Sequence, residues 1–157
     1  MKILLTGCSG QLGQEIIKES PKEHKLLTPT RDELDLSDKF SCKKYVDKNK
    51  PDLIINSGAF TNVDQAEMQK DLCHLINVDA PVVFANLLKE YGGKLLQIST
   101  DYVFDGNKNA PYEPNDLTNP ISVYGYTKAK AESLTEKILK TNGQLVILRT
   151  SWLMGHK

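Results

Sequence analysis

Short apolar runs recur along the chain, separated by longer stretches of helical period: KILLTG (2–7), KLLTPT (25–30), DLIINSG (52–58), KLLQIST (94–100) and QLVILRT (144–150). Runs this short, without strict alternation, predict strands buried on both faces. The segments 11–20, 38–49, 71–91 and 122–141 space their apolar residues at helical intervals. The resulting βαβαβαβαβ order predicts an α/β fold, a parallel sheet with helices packed against it. Right-handed crossovers make a doubly wound layer of the Rossmann type the expected topology. One connection breaks the rhythm. Residues 102–121 are rich in Pro, Asn, Asp and Gly and long for a passive link, which predicts a functional loop.

A chain of 157 residues, 39% hydrophobic and 25% charged, is sized for one domain with a real core. Charge changes the picture more. Lys and Arg total 20, Asp and Glu also total 20, and no sustained run has one sign, which argues against nucleic acid or an anionic membrane as partner. Small neutral or singly charged ligands are expected instead. Cys8, Cys42 and Cys73 are odd in number and lack metal-ligand or CxxC spacing, as reduced cytoplasmic thiols do. The amino-terminal MKILLTG is too short in its apolar part for a signal peptide, and no run approaches the roughly 18 residues of a membrane span. A cytoplasmic protein is expected.

After the first run, TGCSGQLG sets Gly7, Gly10 and Gly13 in G-x-x-G-x-x-G spacing and opens into QEIIKES. In a strand-turn-helix setting the first glycine permits a tight turn and the second lets backbone N–H groups approach a pyrophosphate at a helix amino terminus. The third lets the helix pack close to the sheet. Dinucleotide binding is expected here, the plainer reading being a tight β-α turn. The end of the second strand, TPTRDELDL, should select the dinucleotide. Arg31 suits a 2′-phosphate, hence NADPH, while the adjacent Asp32 suits the ribose hydroxyl of NADH. NADPH is favoured and NADH allowed, unless the two residues simply form an exposed turn.

YGYTKAK (124–130) holds two Tyr-x-x-x-Lys pairs. On a wheel of about 100° per residue, Tyr124 and Lys128 share a face with Ala131, Leu134 and Ile138, whereas Tyr126 and Lys130 fall with Ser133 and Lys137. The first pair should face the sheet and a cleft, the second water. A carbonyl that accepts hydride at carbon needs a proton at oxygen. A phenol costs about 4 kcal/mol to ionise at pH 7, and an ammonium about 4 Å away at an effective dielectric of about 20 offsets a similar amount. The plainer alternative is a buried Tyr hydroxyl beside a snorkelling Lys. QISTDYVFDG supplies context: Ser99 and Thr100 end the fourth run, the ligand edge of an open α/β sheet. Thr100 can donate to the same carbonyl oxygen. Asp101 can orient a sugar hydroxyl or act as a turn residue.

With Gly7, Gly10, Gly13, Thr100, Tyr124 and Lys128 in place, the chain resembles the extended short-chain dehydrogenase/reductases and, among them, the dTDP-4-dehydrorhamnose reductase family. The resemblance rests on LLTGCSGQLGQE, RDELDLSD, PDLIINSGAFTNVDQAE, ISTDYVFDG, PYEP, NPISVYGYTKAKAE and LRTSWLMG, in family order. It implies NADPH- or NADH-dependent reduction of the 4-keto group of dTDP-4-dehydro-6-deoxy-L-mannose, the dTDP-sugar substrate, to dTDP-L-rhamnose. Tyr124 would be the proton donor, Lys128 would bind the nicotinamide ribose and lower the tyrosine pKa, and Thr100 would assist at the keto oxygen. Gly10, Gln11 and Leu12 would meet the pyrophosphate, Arg31, Asp35 and Leu36 the adenosine end, and Ala59, Phe60 and Thr61 the middle of the cofactor. Thr100, Asp101 and Trp152 would touch the sugar nucleotide. A homodimer is possible.

Family members also continue for nearly as many residues again. Residues 1–157 are therefore expected to be the NAD(P)-binding Rossmann domain without the substrate domain, with an unpaired sheet edge and exposed apolar surface. Two other readings stay open. One is a non-catalytic NADP-binding regulatory subunit, because the methionine adenosyltransferase β subunit resembles the same reductases. The other is a nucleotide-sugar epimerase or dehydratase.

Overall fold

The computed structural model describes residues 1–139 and 143–154. Strands β1 (Lys2–Thr6), β2 (Lys25–Leu27), β3 (Leu53–Asn56), β4 (Lys94–Thr100) and β5 (Leu145–Thr150) form one parallel sheet in the order β2-β1-β3-β4-β5. Chain direction across the sheet reverses between β1 and β3. In open α/β sheets the crevice at such a reversal, outside the carboxyl ends of the strands, is where ligands bind.

All five expected strands form, and β2 and β3 end two or more residues before their apolar runs do. β2 stops at Leu27, two residues before Pro29, which has no amide to give to a ladder. β3 stops at Asn56 because Ser57 and Gly58 turn over β1, where the Ser57 hydroxyl donates to the Thr6 carbonyl at 2.6 Å.

Helices α1 (Gln11–Glu19), α2 (Lys39–Asn49), α5 (Ala80–Tyr91) and α6 (Val123–Leu139) fall where the periodicity placed them. The final residues of the expected 122–141 helix lie outside the described residues. Helix α3 (Val63–Met68) was not expected, yet Asn62 caps it by accepting from the Gln65 amide at 2.9 Å, and Asn-x-x-Gln is a readable start signal. Helix α4 (Lys70–His74) runs through a π-helical turn (Leu75–Asp79) into α5. Pro81 explains the widened turn: it lacks the amide that would bond the Asn77 carbonyl four residues back, and its ring presses on that carbonyl. α5 ends at Gly92, whose φ of 85° only glycine adopts freely. The stretch Lys70–Tyr91 is long and apolar enough to meet a membrane-span criterion, contrary to the sequence reading. Its Phe84, Ala85, Leu87 and Leu88 are packed into the core.

Right-handed crossovers put α2, α5 and α6 on one face and α1 on the other. Under the three helices, the in-register row Leu4–Ile54–Leu95 is fully buried against Val46, Phe84, Leu88 and Leu139. The opposite row, Leu5–Ile55–Leu96–Val146, runs from 0% exposed beneath α1 to 58% exposed on β5. Burial on both faces, expected of every strand, therefore fails at β5. Val146 and Leu148 alternate outward while Leu145 and Ile147 pack inward.

Candidate active site

The turn after β1 is built from backbone that side chains would obstruct. Gly7 has φ of 70°, and a Cβ there would lie 2.7 Å from the Gly58 Cα. A Cβ on Gly13 would overlap the Gly7 carbonyl oxygen, so this glycine lets α1 pack against the turn itself rather than the sheet. Gly10 caps α1 without a side-chain bond, and no acidic residue stands in the helix's first turn. The free N–H groups and the positive end of the helix dipole thus face an open cleft. That cleft, about 680 Å³, is lined by Gly7, Gly10, Arg31, Asp35, Leu36, Gly58, Ala59 and Thr61, together with Thr6 and Ile76. A glycine cradle with an uncapped helix start fits a pyrophosphate. Gln11 and Leu12 open α1 beside the cleft, and Gln11 donates from Nε2 to the Leu153 carbonyl at 3.1 Å.

At the far end, Arg31 is exposed and only loosely paired with Asp35, at 4.0 Å. The Asp35 carboxyl is held below its usual range by the Ser37 amide and hydroxyl, both of which donate to it. Asp32 does not line this cleft but a shallow depression with Asp38 and Phe40. Burial raises the pKa of the Cys8 thiol, which donates to the Leu5 carbonyl at 3.0 Å. Cys8 is a turn residue.

Phe60 does not line the cleft with its neighbours Ala59 and Thr61; its backbone is held from behind. The buried Asn77 accepts from the Phe60 amide at 2.8 Å, donates to the Phe60 carbonyl at 3.1 Å and reaches the Thr127 hydroxyl on α6 at 3.2 Å. One amide in the π-helical turn thus ties the cleft wall to the helix of Tyr124 and Lys128. The sequence reading passed over Asn77. Its signal was Pro81 four residues on, which marks a local break in the helix.

At the carboxyl end of β4, Thr100 and Tyr124 come together. Thr100 caps a 3₁₀ turn (Asp101–Val103), accepting from the Tyr102 amide at 3.2 Å and donating to the Asp101 carboxylate at 3.1 Å. Asp101 itself is exposed. Tyr124 packs edge-on against Tyr102, with ring centroids 5.7 Å apart. Gly125 makes this possible, since a Cβ there would overlap the Tyr102 carbonyl oxygen. Burial raises the Tyr124 phenol pKa; the neighbouring Thr100 hydroxyl works against this, and the Asp101 charge adds to it.

Lys128 is buried as expected, but its ammonium donates to the Ile98 carbonyl at 2.6 Å. Burial lowers it to about 8, with Glu132 one turn on opposing the shift. The lysine's charge is thus directed at β4, and the expected electrostatic lowering of the tyrosine is absent from this arrangement. The second pair is also less solvated than its helical phase implied. Tyr126 is 54% exposed, but Lys130 is half-buried and bonds His74 Nε2 at 3.1 Å. Trp152, expected at the sugar nucleotide, stands 90% exposed.

The 102–121 loop is a folded unit. Asp105 accepts from the Tyr112 hydroxyl at 2.8 Å and from Asn119 at 2.9 Å, and Phe104 stacks on Tyr112 at 4.1 Å. Arg149 on β5 clamps it, donating to the Pro114 carbonyl at 3.0 Å while gripping Glu132 through Nε and Nη2. Neither Glu132 nor Arg149 had been given a role from sequence.

The family profile described as RmlD substrate binding domain matches residues 1–157. A dTDP-4-dehydrorhamnose reductase of Aggregatibacter actinomycetemcomitans is 36% identical over 98% of this chain, which covers 52% of that protein. The crystal structure of a Clostridium acetobutylicum dTDP-4-dehydrorhamnose reductase superposes with a TM-score of 0.92 at 39% identity, over 100% of this chain and 55% of its own. The Bacillus anthracis enzyme of the same name, solved in complex with NADP, superposes at 0.89 with 33% identity, over 98% of this chain and 54% of its own. The chain spans about half the length of these relatives. It belongs to the RmlD substrate binding domain family.

Proposed function

We propose that residues 1–157 form the cofactor-binding part of an NADPH-dependent reductase that acts on the 4-keto group of dTDP-4-dehydro-6-deoxy-L-mannose. The observation that carries this reading is the position of Thr100 at the ligand end of β4, bonded to the Tyr102 amide while the Tyr102 ring packs on Tyr124, at the same sheet edge as the glycine cleft. The match to dTDP-4-dehydrorhamnose reductases, one of them holding NADP, supports it.

In this reading Gly7, Gly10 and the start of α1 receive the pyrophosphate, Arg31 the 2′-phosphate, and Ala59 and Thr61 flank the middle of the dinucleotide. When bound, NADPH supplies the hydride that reaches the carbonyl carbon. Tyr124 gives its hydroxyl proton to the carbonyl oxygen as that oxygen gains charge, and the Thr100 hydroxyl steadies it by hydrogen bonding. Lys128, released from Ile98 toward the nicotinamide ribose, brings its charge near the phenol and makes the proton easier to give. Asp101 and Trp152, both exposed, would meet the dTDP-sugar.

NADPH binding, followed by fluorescence, and NADPH oxidation with the dTDP-sugar test this together. Tyr124→Phe should bind NADPH as the parent does and lose at least about 100-fold in turnover. Unchanged turnover in that variant removes Tyr124 from the chemistry. Binding without turnover even when the chain is joined to the remaining half of its relatives points to the regulatory-subunit reading, and absence of binding overturns the assignment of the cleft.

A further inference from the structure

Below the ligand edge, the sheet carries a row of polar side chains where the neighbouring row is apolar. Thr6, Asn56 and Gln97 sit in register on β1, β3 and β4 and are almost fully buried. Two residues earlier on each strand stand Leu4, Ile54 and Leu95. Buried amides destabilise a core unless their hydrogen bonds are satisfied, and here each one is. The Thr6 hydroxyl donates to Asn56 Oδ1 at 2.6 Å, Asn56 Nδ2 donates to Gln97 Oε1 at 2.8 Å, and Gln97 Nε2 donates to the Ile98 carbonyl at 2.8 Å.

Both ends of the row are backbone groups of fixed polarity. At one end the Gly58 N–H donates to Thr6 Oγ1 at 3.0 Å and leaves the Thr6 hydroxyl hydrogen free to be donated onward. At the other end the acceptor is a carbonyl. The orientation of each amide follows from these two ends, so the row has a single direction. It begins at a glycine that lines the cofactor cleft and ends on the carbonyl that also receives the Lys128 ammonium.

We propose that Thr6, Asn56 and Gln97 are positioning residues that set how readily Lys128 leaves the Ile98 carbonyl for the cofactor. The Ile98 oxygen accepts from Gln97 and Lys128 together. When the lysine turns away, Gln97 still satisfies the oxygen, and no buried carbonyl is orphaned. Without Gln97 the lysine becomes that oxygen's only side-chain donor and is held there. The proposal rests on the reading of Lys128 as a cofactor-facing residue.

Two measurements on the chain test it: the titration midpoint of the Lys128 ammonium by side-chain NMR without cofactor, and the NADPH dissociation constant. Glu132 on its own helix and Cys73 on α4 are the titratable groups that act on Lys128, and the variants alter neither. Gln97→Met should raise the midpoint by about one pH unit and weaken NADPH binding about tenfold, each equivalent to one net hydrogen bond.

Thr6→Val, at the far end of the row, frees the Asn56 and Gln97 amides to turn and should move the midpoint in the same direction. Thr6→Ser, which keeps the hydroxyl, should leave it unchanged. A packing role would not produce that pattern. An identical Lys128 midpoint in the parent, Gln97→Met and Thr6→Val overturns the proposal. The Thr6 pair decides the matter if Gln97→Met does not fold. A parent chain that fails to bind NADPH defeats the reductase reading, while the titration still tests the row.

Discussion

Lys128 and Ile98 are joined by a 2.6 Å hydrogen bond from the buried ammonium to the strand carbonyl. The contact holds a charge inside the sheet, and the fold is less stable for it. Burial lowers the ammonium from its usual 10.5 to about 8. Between those values the unfolded chain keeps a proton that the folded chain has released, so stability rises with pH across that window. Below about 8 the cost of burying the charge is felt in full. Lys128→Met should therefore stabilise the chain at pH 7 by about 1 to 3 kcal/mol, because Gln97 still satisfies Ile98. Urea unfolding at a series of pH values checks this: the advantage should shrink as pH approaches about 10.

Gly7 and Gly10 should separate fold from ligand. Alanine at Gly7 would adopt φ near 70° and drive its Cβ against the Gly58 backbone, which has no flexible end to yield. A loss of roughly 2 to 4 kcal/mol is expected, visible as a lower thermal midpoint. At Gly10 the backbone has φ of −77°, and a Cβ would meet only the Gly7 carbonyl oxygen, at 3.3 Å. Gly10→Ala should stay within about 1 kcal/mol of the parent. Its effect should fall on NADPH affinity, since the added methyl stands where the pyrophosphate would approach.

The sheet, its parallel sense and the glycine cleft were legible because apolar run length, helical period and glycine spacing are local signals. Helical phase also sorted the two tyrosines by exposure, since Tyr124 packs against Tyr102 while Tyr126 is exposed. What local signals could not show was where long side chains end. Wheel phase buried Lys128 but could not tell the Ile98 carbonyl from the Tyr124 phenol as its partner, because that choice depends on β4, which lies 30 residues away in the chain. Asn77, Gln97, Glu132 and Arg149 were missed for the same reason: each acts through partners on other elements. The uncovered face of β5 was legible only through the family resemblance, because the run QLVILRT alone reads as buried on both sides.

Arg149 and Glu132 form a largely buried pair, with Arg149 Nη2 2.7 Å from Glu132 Oε2. Arg149 also holds the Pro114 carbonyl and lies 5.1 Å from the Phe104 ring centroid. Arg149→Met leaves Glu132 charged and unpaired inside the fold, which should cost about 3 to 5 kcal/mol. The double variant Arg149→Met/Glu132→Leu removes the stranded charge and should recover much of the loss. Hydrogen exchange separates the two functions of the arginine. In both variants the amides of residues 104–118 should exchange faster than in the parent, because the clamp on Pro114 is gone whether or not the charge is balanced.

The outer face of β5 makes the opposite prediction. Val146 and Leu148 are 58% and 48% exposed, and Leu96 and Ile98 beside them on β4 are half-buried, so apolar surface continues across two strands. Such a patch adds little to folding and promotes association. Replacing Val146 and Leu148 together by Thr keeps residues suited to a strand while removing the apolar surface. Stability should change by less than about 0.5 kcal/mol per site, while binding of a hydrophobic dye and concentration-dependent light scattering should both fall. Leu145→Thr is the internal control, because Leu145 is on the same strand but packs against the helix-covered core. It should destabilise by about 1 to 3 kcal/mol and leave dye binding to the folded chain unchanged. Equal destabilisation by the two sets would mean that the outer face of β5 is covered in solution.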